Sequence, residues 1–134
     1  MILGYSKYYP WGGETLFESK ILSGEKIHTI RKDLKGRWKS GNTIQHSTGV
    51  RTKSFNQFAK GECTSTENII ITFSDLGKIE TVLVNGKEIN NWELIARNDS
   101  LSILDFEKWF YTNSHNNIFK GKIIHWTNKK YVRI

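Results

Sequence analysis

The spacing of apolar positions changes several times along the chain, and each change marks an element. Thr15-Leu16-Phe17-Glu18 has the spacing of a capping box, and Phe17 and Ile21 fall one turn apart on a single face. Gly24 stands where a left-handed turn would end the helix, so the pattern predicts a helix over 15–23. Segment 25–31 is rich in β-branched residues and predicts a strand. Charged segment 32–41 reads as a loop, 42–48 as a short strand and 49–60 as irregular. The run Ile-Ile-Ile-Thr-Phe over 69–73, of buried-strand type, a turn at 74–77 and alternation over 78–84 predict two strands. Asn85-Gly86 signals a tight hairpin, because both residues tolerate positive φ. Asn90 with Glu93, and Ser102 with Asp105, repeat the capping arrangement ahead of two helices. Trp92, Phe106, Trp109 and Phe110 follow helical spacing and are expected in the core. A polar loop at 113–117 and a strand at 121–127 close the chain. Short strands around a few short helices predict an α+β fold, most economically a small mixed β-barrel with short helices at its ends.

Composition narrows the class. The 134 residues contain no internal repeat and one proline, Pro10, which predicts a single domain over 1–134. No apolar run approaches the roughly 20 residues of a membrane span, and the first residues lack the apolar centre of a signal peptide. One cysteine, Cys63, excludes an internal disulfide framework and suits a reducing cytoplasm. The formal charge of +7 is unevenly placed: residues 1–61 carry 11 Lys/Arg against 4 Asp/Glu, and 62–134 carry 9 against 9. Within the second half, 62–118 is acidic, whereas 119–134 is basic again. The densest basic run, 20–39, is the electrostatic footprint of a nucleic-acid binder or a solvated face.

Few constellations carry recognisable chemistry. His28, His46, His115 and His125 share no metal-ligand spacing and Cys63 has no nucleophile signature, so neither a metal nor a cofactor is expected. Lys26 and Thr29, directly after the first helix, form the best cluster. A lysine there binds phosphate as a point charge, acts as a base on the threonine if desolvated, or is simply solvated. Tyr5, Tyr8, Tyr9 and Trp11 crowd the N-terminal segment, and Trp38 sits inside the basic run. Such rings beside Lys/Arg either stack on bases or close one end of the barrel.

Segment 22–31, Leu-Ser-Gly-Glu-Lys-Ile-His-Thr-Ile-Arg, resembles the signature of ASCH domains, small members of the PUA-like superfamily. Trp38 to Ile44, Ile95 to Asp99 and Phe119 to Trp126 resemble further points of the family pattern in the same order. The resemblance implies a PUA-like β-barrel, a cleft near the first helix, and binding of RNA or modified nucleosides. It also implies a rival activity, because some bacterial members remove the acetyl group from acetylcytidine with a lysine, a threonine and a glutamate. Those positions fall on Lys26, Thr29 and Asp99, the last one methylene shorter than the family's residue. The expected nucleic-acid-binding set is Lys26, Arg31, Arg51 and Lys53 for phosphate, with Trp38 or Tyr9 for stacking. A module whose basic face docks an acidic protein is a third expectation.

Overall fold

The computed structural model describes residues 1–132. It is an α+β structure with two sheets and three short helices. The three-stranded sheet has the order β1 (Ile2–Tyr5), β3 (Thr43–Thr48), β4 (Asn56–Glu62), with β1 and β3 parallel. The five-stranded sheet has the order β2 (His28–Arg31), β8 (Ile118–His125), β5 (Ser65–Phe73), β6 (Ile79–Val84), β7 (Lys87–Glu88). Its neighbouring strands are all antiparallel. The helices are α1 (Phe17–Leu22), α2 (Glu93–Asn98) and α3 (Ile103–Thr112).

Where a single small, partly closed barrel was expected, the strands divide into two sheets among the described residues, and no closed barrel forms. Residues 63–64 carry the chain directly from β4 into β5, and Thr64 N donates to His125 O at 2.9 Å as it enters the second sheet. Arg31 donates to Gly4 O at 2.6 Å and so ties β2 to β1 across the gap. One apolar cluster spans both sheets, from Leu3 and Ile44 to Ile69, Ile71, Phe106 and Ile123. Phe106 and Phe110 are buried in it as expected, and Trp92 and Trp109 pack on its edge. No helix among the described residues is long and apolar enough to cross a membrane.

Two capping expectations fail for local reasons. Thr15 turns its hydroxyl to Ser6 O at 2.6 Å, so α1 starts two residues later with Leu16 in the left-handed region and no side-chain cap. Trp92, not Asn90, precedes α2, again without a side-chain cap. Ser102 does cap α3, accepting from Asp105 N at 3.1 Å. The Asn85-Gly86 hairpin forms with φ of 49° and 82°. The segment expected to be irregular, 49–60, holds most of β4, and β1 was not expected at all.

Candidate functional site

The sequence-predicted trio meets around one small cavity. Lys26 lies between α1 and β2, Thr29 on β2, and Asp99 at the C-cap of α2, yet all three line a space of about 90 Å³. Phe17, Trp109, Phe110 and Tyr5 supply apolar wall, and Ser6 and Arg31 complete the polar side. The Lys26 Nζ donates to Asp99 Oδ1 at 2.7 Å and to Asp99 O at 2.9 Å, and stands 4.7 Å from the centre of the Phe17 ring. The first bond joins charges on residues that are 2% and 3% exposed. Burial brings the Lys26 pKa below its usual value, against the opposing pull of Asp99. Burial alone would raise Asp99, but the Lys26 charge and His28 outweigh it and leave the carboxyl below the usual range. Thr29 Oγ1 takes its contact from Arg31 Nε at 3.4 Å, and no hydrogen bond links it to Lys26.

A hydrogen-bonded chain that the sequence did not disclose stands behind Asp99. Asn98 Nδ2 donates to the Tyr131 hydroxyl at 2.9 Å, and that hydroxyl lies 2.6 Å from His28 Nε2. Burial lowers the His28 pKa despite Asp99, so the ring is neutral near pH 7. With the Tyr131 proton given to Nε2, the ring's own proton sits on Nδ1, 3.3 Å from Asp99 Oδ1 but off the line of a good hydrogen bond. A second buried pair lies next to it. His125 Nε2 is 2.7 Å from Glu67 Oε1, and the His28 and His125 rings meet edge to face at 5.3 Å. Glu67 also accepts the backbone N–H groups of Tyr131 and Val132, which clamps the C-terminal segment over the histidines.

The remaining predicted residues divide between groove and core. A groove of about 780 Å³ is lined by Arg31, Lys35, Arg37 and Arg51, together with Trp38, and it shares Gly4 and Arg31 with the cavity. Arg31, Lys35, Arg37 and Arg51 form no ion pair among the described residues. Lys53 is exposed on the neighbouring turn but is not part of the groove lining. Trp38 is 8% exposed and belongs mainly to the core. Tyr9 stacks on Trp11 at 5.3 Å and meets Phe17 and Trp109 edge-on, so its ring is occupied internally. No protein-family model matches this chain, and no match is found among curated proteins or solved structures.

Proposed function

We propose that the chain is an ASCH-type domain that binds single-stranded RNA or a nucleotide, with phosphate in the basic groove and one compact polar group in the Lys26 cavity. The observation that carries this reading is the continuity of the two at Arg31, which lines both. Four unpaired cations in one groove favour a polyanion, and a phosphate backbone supplies charge at the required spacing. The cavity is far below the roughly 300–1,000 Å³ of sites that enclose a whole small ligand, so it admits a base edge or substituent rather than a nucleoside. Lys26 offers a donor there, Asp99 an acceptor and Thr29 a hydroxyl.

Fluorescence anisotropy with labelled single-stranded RNA across a salt series tests the reading. Engaging three or four phosphates gives a log–log slope of about −2 to −3. Replacing Arg37 and Arg51 by alanine is expected to weaken binding across sequences and flatten the slope by about 1 per residue. Salt-independent binding, or none at micromolar protein, would overturn it. An acidic protein partner displaced by RNA would leave the reading standing, whereas one that RNA does not displace would favour the docking module.

The convergence of Lys26, Thr29 and Asp99 favours a second reading, amide hydrolysis on an acylated nucleoside. Lys26, charged in its pair with Asp99, would first release a proton to solvent; the neutral amine would then take the Thr29 proton as that oxygen attacks the acyl carbon, and would return it to the departing amine. Water would then release the acyl group from Thr29, with Asp99 holding the lysine in place. Deacetylation of acetylcytidine that disappears in both Lys26→Ala and Thr29→Ala supports it, and absence of turnover in the unmodified protein removes it for that substrate.

A further inference from the structure

The basic groove is the first of three adjoining grooves. It shares Gly4 and Val50 with a second groove of about 580 Å³, between 4–8 and the turn after β3. The second groove shares Ser6, Lys7 and Tyr8 with a third, of about 420 Å³, between Tyr8 and the start of α1. Gly4, Tyr5 and Ser6, which line the middle groove, also line the Lys26 cavity. The cavity therefore shares walls with the middle one of three adjoining grooves, with the basic groove on one side and the Tyr8 groove on the other.

The two outer grooves differ chemically. The Tyr8 groove is bordered by the carboxylates Glu14 and Glu18 as well as by Lys7, so it does not favour phosphate. It has instead a ring and two hydrogen-bonding side chains. Tyr8 is 62% exposed, the most exposed large aromatic side chain in the described residues. Thr48 lines this groove, is 3% exposed, and its hydroxyl is buried just beneath the groove wall without a hydrogen-bond partner. A buried hydroxyl without a partner costs free energy that a hydrogen-bonding ligand recovers. Asn56 lies alongside, its amide resting on Glu18 Oε1 at 3.2 Å.

We infer that the Tyr8 groove is a base subsite for a second nucleotide of single-stranded RNA, one step beyond the nucleotide that enters the Lys26 cavity. This rests on the RNA-binding reading above. Tyr8 stacks on the base, Thr48 Oγ1 and Asn56 meet its edge, and the connecting phosphate lies over Ser6 and Lys7. A volume of 420 Å³ accommodates a base, and stacking on an exposed aromatic ring tolerates any base identity.

The test compares a mononucleotide with a hexanucleotide on the unmodified protein and on Tyr8→Ala, Tyr8→Phe and Thr48→Val. Tyr8→Ala is expected to weaken the hexanucleotide by about tenfold, the scale of one stacked base, and leave the mononucleotide unchanged. Tyr8→Phe is expected to restore most of the loss, and Thr48→Val to weaken the hexanucleotide a few-fold. If the unmodified protein binds the hexanucleotide and Tyr8→Ala binds it equally well, the subsite is refuted while the RNA reading stands. Equal losses for mononucleotide and hexanucleotide also refute it, since Tyr8 would then serve the first nucleotide. No RNA binding by the unmodified protein removes both.

Discussion

Replacing Lys26 by methionine keeps the length of the side chain and removes its charge. The variant leaves Asp99, 3% exposed, with a carboxylate whose nearest remaining cationic candidate is His28, a ring that burial keeps neutral. Removing one partner of a buried ion pair costs about 3–5 kcal/mol, because the other charge stays desolvated. That is a large share of the roughly 5–15 kcal/mol that holds a domain together. Replacing both partners with apolar residues removes the stranded charge, so Lys26→Met with Asp99→Leu is expected to be more stable than Lys26→Met alone. Urea denaturation at pH 7 measures the set, with unchanged m confirming that the midpoints report stability. The pH dependence gives an independent sign. The folded Asp99 pKa is depressed, so its contribution is complete above the unfolded carboxylate range and is lost as pH falls through the folded value. In Lys26→Met that depression loses its main source, and the deficit against the unmodified protein should narrow as the pH is lowered. A cost below about 1 kcal/mol, with no recovery in the double variant, would show that the two groups are solvated in solution. The double variant also separates fold from function, since it should fold yet lose the polar group from the cavity and with it the ligand.

Other consequences follow from single groups. His46, buried against Tyr5 and Trp126, has its pKa lowered to about 4 by burial and then by Lys26. The unfolded chain binds its proton first, so stability should fall as pH drops from 6.5 to 4; full linkage is worth about 3 kcal/mol, reduced by solvent screening to about 2. His46→Asn should flatten that limb in an acid titration of the denaturation midpoint. Tyr131→Phe removes the hydroxyl shared by His28 and Asn98, and is expected to cost about 1–3 kcal/mol by urea denaturation. An unchanged midpoint there would exclude the chain behind Asp99. A Cβ on Gly121 would meet Arg31 O at 2.7 Å, so Gly121→Ala should cost about 3 kcal/mol by forcing β2 aside. Gly24, with φ of +85° and open space around it, should cost only about 1 kcal/mol when changed to alanine.

What the sequence discloses depends on whether the deciding contact is local. The Asn85-Gly86 hairpin and the Ser102 cap are settled within four residues, and both form. β4 reads Asn-Gln-Phe-Ala-Lys-Gly-Glu and is exposed along much of its length, so no alternation announces it; β3 holds it through the backbone ladder. Thr15 shows the opposite failure, a local motif overruled by a carbonyl nine residues earlier. The cavity divides in the same way. Lys26 and Thr29 are neighbours and legible, and Asp99 is legible through the resemblance. His28, His125 and Glu67 share no spacing because sheet register brings them together, and Tyr131 joins them from the segment after β8 through Glu67 and His28. His28 lies opposite His125 on β8, and Glu67 is the diagonal neighbour of His125 on β5.

The same register explains why the basic charge of the first half stays available. Segment 119–134 repeats that charge, and β8 places its Lys122 beside the loop after β2. There it meets Asp33, the one acidic residue of the groove lining, at 3.4 Å. Asp33 also accepts the backbone N–H of Arg37 at 2.8 Å and of Trp38 at 3.1 Å. Burial would raise its pKa, but these donors and Lys122 outweigh that and keep it ionised. Its charge is thus engaged by a lysine from the distant end of the chain and by the loop's own backbone. Arg31, Lys35, Arg37 and Arg51 line the groove without a carboxylate of their own among the described residues, so an anion entering it displaces no ion pair of theirs, and only Arg31 is already held, by Gly4 O. Lys122→Ala is expected to lower RNA affinity indirectly, by releasing Asp33 toward Arg37 and Arg51, even though Lys122 itself lies outside the groove lining. In the anisotropy assay the loss should be largest at low salt and vanish in Lys122→Ala with Asp33→Asn, whereas a loss that persists in the double variant would mean that Lys122 touches the ligand directly.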